Sequence, residues 1–148
     1  MNAMKSIKQH QAGVALVEFA LILPLLLILS FATVEFGRAL YQFNTVAKSV
    51  RDAVRYLSVQ PAGTHLTEAA NLVVYGNTAG TGTPVAPGLT TSHVQPPSWQ
   101  TVGTAPAMSV VTVSVSGYGF QSMFTSVFGL SFGPFTYSDI RATMRSHL

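Results

Sequence analysis

From Val14 to Val34 the chain reads VALVEFALILPLLLILSFATV, apolar throughout except for Glu18, Ser30 and Thr33. At about 1.5 Å per residue such a run makes roughly 30 Å of helix, the thickness of a bilayer's hydrocarbon core. Nothing else in the sequence constrains the fold as tightly, because a helix with this surface needs lipid around it. Lys5, Lys8 and His10 precede the run with no acidic residue among them. By the positive-inside rule this keeps the N-terminus in the cytoplasm and sends the C-terminal part outside. A cleaved secretory signal is the rival, since Ser30-Phe31-Ala32 supplies small residues at the spacing of a cleavage site. The run outlasts an ordinary signal core and helical patterning continues past Ala32, so the favoured reading is a lasting anchor. Pro24 removes one backbone hydrogen bond and can kink the helix, which membrane helices tolerate.

Only 9% of the residues are charged, against about a quarter in an ordinary soluble domain. From Tyr56 through Ser138, Glu68 is the only Asp, Glu, Lys or Arg residue, so burial against partners is expected of the exported part. The net charge of +3 comes without a basic run interleaved with aromatics, which argues against nucleic-acid binding. With no cysteine there is no disulfide, thiolate metal site or cysteine nucleophile. His10, His65, His93 and His147 are far apart and form no HExxH spacing, so no metal site is expected. No G-x-S-x-G elbow is present, and Gly76, Gly80 and Gly82 lack the context of a phosphate loop. The reading is a protein with no catalytic residues, no cofactor and no small-molecule substrate.

Glu18 is the most informative residue. A carboxylate in an apolar span costs about 2.5–3.5 kcal/mol at the membrane centre and less near the interface. Snorkelling to the headgroups or protonation would relieve that cost. The alternative uses Gly13, at the border between the basic leader and the apolar run. Cleavage after Gly13 would make Val14 the first residue, and its ammonium, or a neighbouring subunit's, would pair with Glu18 in a low-dielectric helix bundle. Basic leader, Gly, four residues, Glu18-Phe19 and a long apolar helix together resemble the class III signal of type IV prepilins.

The stretch AGVALVEFALILPLLLILSFATVEFGRALY, Ala12 to Tyr41, closely resembles the N-terminus of TadE-like proteins, minor pseudopilins of the tight-adherence (Flp/Tad) pilus machinery. The blocks VEFALILP at Val17–Pro24 and VEFGRALY at Val34–Tyr41 carry the resemblance, which extends more weakly to RDAVRYL. It implies a leader, residues 1–13, removed by a prepilin peptidase at Gly13–Val14. It also implies an inner-membrane anchor over 14–34 and a periplasmic domain that serves assembly of a Tad-type pilus or a related secretion apparatus. The implied partners are that peptidase, other pilin or pseudopilin subunits, the Tad inner-membrane machinery and membrane lipid. Flp major pilins are much shorter, so the resemblance points to an accessory subunit. A membrane-tethered or secreted binding module with no pilus role is the competing class.

Past the membrane, Phe36, Leu40, Phe43, Ala47, Val50, Val54 and Leu57 recur at helical intervals. They predict one helix from Val14 to Val59, amphipathic over 35–59 and ended by Pro61-Ala62-Gly63. Its apolar stripe would pack on the external domain or on a neighbouring helix. Glu35 and Arg38, three positions apart at the outer interface, are read as interface residues able to pair. The external domain, 60–148, would hold a short helix over Leu66–Tyr75 capped by Thr64 and an irregular segment over 76–106 with a short strand near His93–Gln95. Two strands, Met108–Gly117 and Thr136–Ser146, would form an antiparallel pair on the outer helix, giving an α+β, pilin-like layout. Phe120, Met123, Phe124, Val127 and Phe128 fall at helical spacing, either as part of a small core or as an exposed patch for a partner or the membrane.

Overall fold

The computed structural model describes residues 3–147, with side chains from residue 13 onward. The side chains of Lys5, Lys8 and His10, assigned above to the leader, lie outside the described residues. Helix α1 runs Ala3–Leu57, so it begins before Val14 and passes through the expected processing border. The segment ahead of Gly13 contains no proline, and its Ala, Met, Lys and Gln residues are good helix formers. Pro24 lies inside α1 without ending it. The helix stops at Leu57, ahead of Pro61.

The elements that follow are α2 (Leu66–Tyr75), a single 3₁₀ turn (Thr91–His93), and strands β1 (Val94–Val102), β2 (Met108–Val115), β3 (Gly119–Phe120), β4 (Ser126–Val127), β5 (Leu130–Ser131), β6 (Phe135–Thr136) and β7 (Ile140–Arg145). A long N-terminal helix followed by a small antiparallel sheet makes this an α+β chain. It divides into two compact units: residues up to Gly37 with Ser122–Gly133, and Arg38–Gln121 with Pro134–Leu148.

The second unit holds the core. Val46, Val50, Ala53, Val54 and Leu57 of α1 meet Ala69, Val73 and Val74 of α2, Val111, Val113 and Val115 of β2, and Ile140 of β7. Each side chain of this size contributes about 1.5–3 kcal/mol on full burial. Of the expected stripe, Val50, Val54 and Leu57 are buried and Phe43 and Ala47 pack against the core, so the stripe departs from expectation only at its membrane-proximal end. Ala39 is buried with Gln42 and Ser49, whereas Phe36 and Leu40 stand exposed. The tyrosines explain part of this: Tyr118 points its hydroxyl at Gln42 Oε1, 3.2 Å away, and Tyr137 donates to the Ala39 carbonyl at 2.8 Å.

The sheet has three strands in the order β1-β2-β7, all antiparallel, instead of the expected pair. Pairing of Val111, Val113 and Val115 with Met144, Ala142 and Ile140 sets one face of β2 toward the core. On the other face Thr112 and Thr143 bring their hydroxyls to 2.7 Å. Strand β1 runs well beyond the short strand expected near His93–Gln95, through Pro96-Pro97. The structure keeps the strand by placing it at the sheet edge and shifting register between Gln95 and Ser98.

Three further expectations change. Thr64 does not cap α2: its hydroxyl donates to the Pro61 carbonyl at 2.7 Å, and His65, at φ 55°, takes the N-cap position without a side-chain cap bond. The predicted strand over Thr136–Ser146 is split into β6, which pairs with β3, and β7. No helix forms over the aromatic run from Phe120 to Phe128. Phe120 goes into β3 and the core, while β4 and β5 form a hairpin around Phe128-Gly129. Both turn residues have positive φ, 49° and 82°, as a type I′ turn requires. A residue with a Cβ pays about 1–2 kcal/mol for that conformation, and glycine does not.

Candidate functional site

The residues singled out for processing and assembly lie on the first half of α1. Gly13 and Val14 are both helical there. A Cβ added to Gly13 would meet nothing within 4 Å, and the residue has no positive φ. The fold itself therefore has no use for a glycine at this point, where it costs roughly 0.5–1 kcal/mol against alanine. Glu18 stands four positions beyond Val14, one turn along the same helical face, at an axial rise of about 6 Å. Val14 and Phe19 are more than half exposed, as are Leu16, Val17, Leu21 and Ile22 around them. Among the described residues Glu18 has no hydrogen-bond or ionic partner.

Glu35 and Arg38 are set differently. Glu35 is 5% exposed and accepts a hydrogen bond from the Met123 amide at 3.2 Å. One turn earlier on the same face, Phe31 packs on Phe124 with ring centroids 4.8 Å apart. Leu27, Ile28 and Ala32 of this face are half-buried. Arg38 lays its guanidinium over the Phe120 ring, 5.5 Å from the centroid, a cation–π arrangement.

An aromatic ladder fills the second unit next to Arg38. Phe120 meets Phe135 at 5.2 Å, Phe135 meets Tyr137 at 5.3 Å, and Tyr137 stacks on Tyr118 at 5.4 Å. Burial pushes the Tyr137 phenol up to about 12, with Tyr118 beside it adding to the rise and Arg38 opposing it. Burial also raises Tyr118. Elsewhere, Glu68 sits 3.3 Å from His65 Nδ1 on the surface. Its pKa is lowered chiefly by a backbone hydrogen bond, with help from His65. A shallow groove of about 510 Å³ between α2 and β1, lined by Leu66, Ala70, Asn71, Val94, Pro96 and Pro97 among others, has no charged side chain in its wall.

The structure thus keeps Gly13, Val14, Glu18 and Phe19 on one exposed stretch of helix and gives Glu35 and Arg38 intrachain contacts. Sequence reasoning missed the contacts of Met123 and Phe124 with α1, and Tyr118 and Tyr137 as its packing partners. The aromatic run from Phe120 onward was the available signal, but its helical spacing pointed to the wrong element.

The family described as TadE-like protein matches residues 13–55. Over this segment the protein is TadE-like. The match begins at Gly13 and ends just short of the α1 terminus, so it covers the apolar run and the outer amphipathic turns and reaches neither α2 nor the sheet. The TadE-like helix is also the one element, among the described residues, that is long and apolar enough to cross a membrane; it lies near the N-terminus. No curated protein and no solved structure matches the chain.

Proposed function

We propose that this TadE-like chain is a minor pseudopilin that takes part in assembling a Tad/Flp-type pilus or a related secretion apparatus. It is processed between Gly13 and Val14 by a prepilin peptidase and held in the inner membrane by one helix, with its N-terminus cytoplasmic and residues 60–148 outside. The observation that carries this reading is the coincidence at Gly13. The family match begins there, the helix gains nothing from a glycine there, and Glu18 follows one turn beyond the new N-terminus. In the processed protein the Val14 ammonium of a neighbouring subunit neutralises Glu18 as helices bundle, which converts a costly lone charge into a register-setting pair. Glu35 and Arg38 act at the outer end of the span by fixing chain to helix.

The N-terminus of the protein recovered from membranes of a host with a prepilin peptidase tests this by mass spectrometry. A start at Val14 is expected. A start at Thr33 would instead give a secreted binding module, and an intact Met1 a plain tether. Independently, Glu18→Ala is expected to abolish or strongly reduce pilus assembly while leaving membrane insertion intact; full assembly with alanine would sink the proposed role of Glu18.

A further inference from the structure

The segment Ser122–Gly133 carries no Asp, Glu, Lys or Arg, yet it exposes Met123 at 68%, Phe128 at 63% and Leu130 at 51%. Phe124, Val127 and Phe132 on the same segment are half-buried. Phe124 on Phe31 and the Met123 amide on Glu35 hold it to α1. Phe31 and Glu35 bracket Val34, where the apolar run ends. The hairpin is therefore fastened at the level where the helix leaves the hydrocarbon.

The tip makes the same point by a separate route. A type I′ turn facing water is ordinarily built with Asn, Asp or Gly at its first central position, since these enter the left-handed region at least cost. Here that position is Phe128, at φ 49°, a bulky ring in an unfavourable backbone conformation and more than half exposed. Both features are unfavourable in water and are offset where the ring meets an apolar medium. The hairpin is also unsuited to lie deep. Thr125, Ser126 and Ser131 interleave with the apolar residues, and its short strands leave backbone groups that need water or headgroups.

We propose that the β4–β5 hairpin is a membrane-interface wedge. Met123, Phe128 and Leu130 insert into the headgroup and upper acyl region of the leaflet at the C-terminal end of the span, beside the emerging helix. The wedge supplements the single helix with a second lipid contact and opposes rotation of α1 about its own axis. This inference rests on the membrane-anchor reading of α1 but on neither processing nor pilus assembly.

The test uses the full chain reconstituted in phosphatidylcholine–phosphatidylglycerol vesicles. With Trp99→Phe as background, Phe128→Trp and, separately, Leu25→Trp report lipid contact through quenching by brominated lipids. For Phe128→Trp, bromines near the top of the acyl chain are expected to quench about twofold or more better than bromines near its end, since interfacial residues sit about 5–10 Å into the boundary. Leu25→Trp, in mid-span, is expected to show the reverse order. Red-shifted emission from Phe128→Trp with no lipid quenching would overturn the wedge, and so would blue-shifted emission without lipid quenching, which would mean that protein covers the tip. If Leu25→Trp also escapes quenching, the membrane-anchor reading itself falls. Because the chain has no cysteine, a spin label on Leu130→Cys gives a second measurement free of the Trp99 change. Preferential collision with oxygen over an aqueous nickel reagent supports the wedge, and the opposite preference rejects it.

Discussion

In the first half of α1, Leu16, Leu21, Leu25 and Leu29 stand 64% to 75% exposed, whereas Val46, Val50 and Leu57 in the second half are completely buried. The residue types are similar and the helix is one element, so helix propensity does not separate them. The difference lies in what the chain itself supplies as cover. Around the second half, α2, β2 and β7 close over a narrow stripe, and charged residues such as Lys48, Arg51, Asp52 and Arg55 lie between the stripe residues. Around the first half, the hairpin Ser122–Gly133 covers part of one face near Phe31 and Glu35, and the remaining apolar surface is left to lipid or to other helices. An apolar side chain on this helix is thus a folding determinant in one half and a solubility determinant for the bilayer in the other.

The sharpest way to break that comparison is to make the same substitution in each half. Leu57→Ala should cost the second unit about 2–5 kcal/mol, read from denaturant unfolding in micelles by near-ultraviolet circular dichroism. Leu25→Ala should leave that transition within about 0.5 kcal/mol. Equal losses from the two substitutions would erase the distinction.

Next in size is the hydrogen bond between Glu35 and the Met123 amide. Glu35→Ala leaves the Met123 amide without its acceptor, a loss of about 1–3 kcal/mol if the group stays buried. Hydrogen exchange at Met123 should therefore accelerate by about tenfold or more, while amides of β2 keep their protection. Unchanged exchange at Met123 would mean that Phe124 on Phe31 suffices to hold the hairpin.

A smaller effect of opposite sign is expected at the tip. Phe128→Asn relieves the left-handed strain and should tighten closure of the turn itself by about 1 kcal/mol, while giving up the ring's hold on the apolar phase of the micelle. Slower exchange of the Phe132 amide, which bonds the Thr125 carbonyl, would register it. Faster exchange would show that the phenyl ring stabilises the turn by contact.

The smallest effect belongs to the second unit and depends on pH. Tyr137 titrates near 10 in an unfolded chain and at about 12 in the fold. The unfolded state therefore loses its proton first, so the tyrosine's contribution is complete below about pH 10 and declines as pH rises toward 12. Tyr137→Phe keeps the ring contacts with Phe43, Phe135 and Tyr118 and removes the hydroxyl bond to Ala39. It should cost roughly 0.5–1.5 kcal/mol near neutral pH and flatten the decline above pH 10. An unaltered alkaline limb in thermal melts would place the titrating group elsewhere.

Much of the fold was legible from local pattern. Alternation of Val111, Val113 and Val115 with Thr112, Ser114 and Ser116 specifies a strand with one buried face, and α2 appears at its expected residues. Patterns failed where two signals conflict. Most of β1 lies in the segment read as irregular, and only an edge position lets a strand keep Pro96-Pro97. The spacing of Phe120, Phe124 and Phe128 mimicked a helix because those rings serve separate neighbours: Phe120 packs on Phe135, Phe124 on Phe31, and Phe128 is exposed at the turn tip.

By itself the sequence determined the apolar span, the position of Glu18 within it and of Gly13 before it, and the TadE-like character of residues 13–55, since each depends only on residue order along one helix. Only the tertiary structure decided which residues the outer helix buries at its membrane-proximal end, that Glu35 holds the Met123 amide, and that a strained phenylalanine stands exposed at the tip of a hairpin tied to the end of the span. Those outcomes join residues roughly ninety positions apart, and their pairing is settled by packing and hydrogen bonding between elements, which no local period encodes.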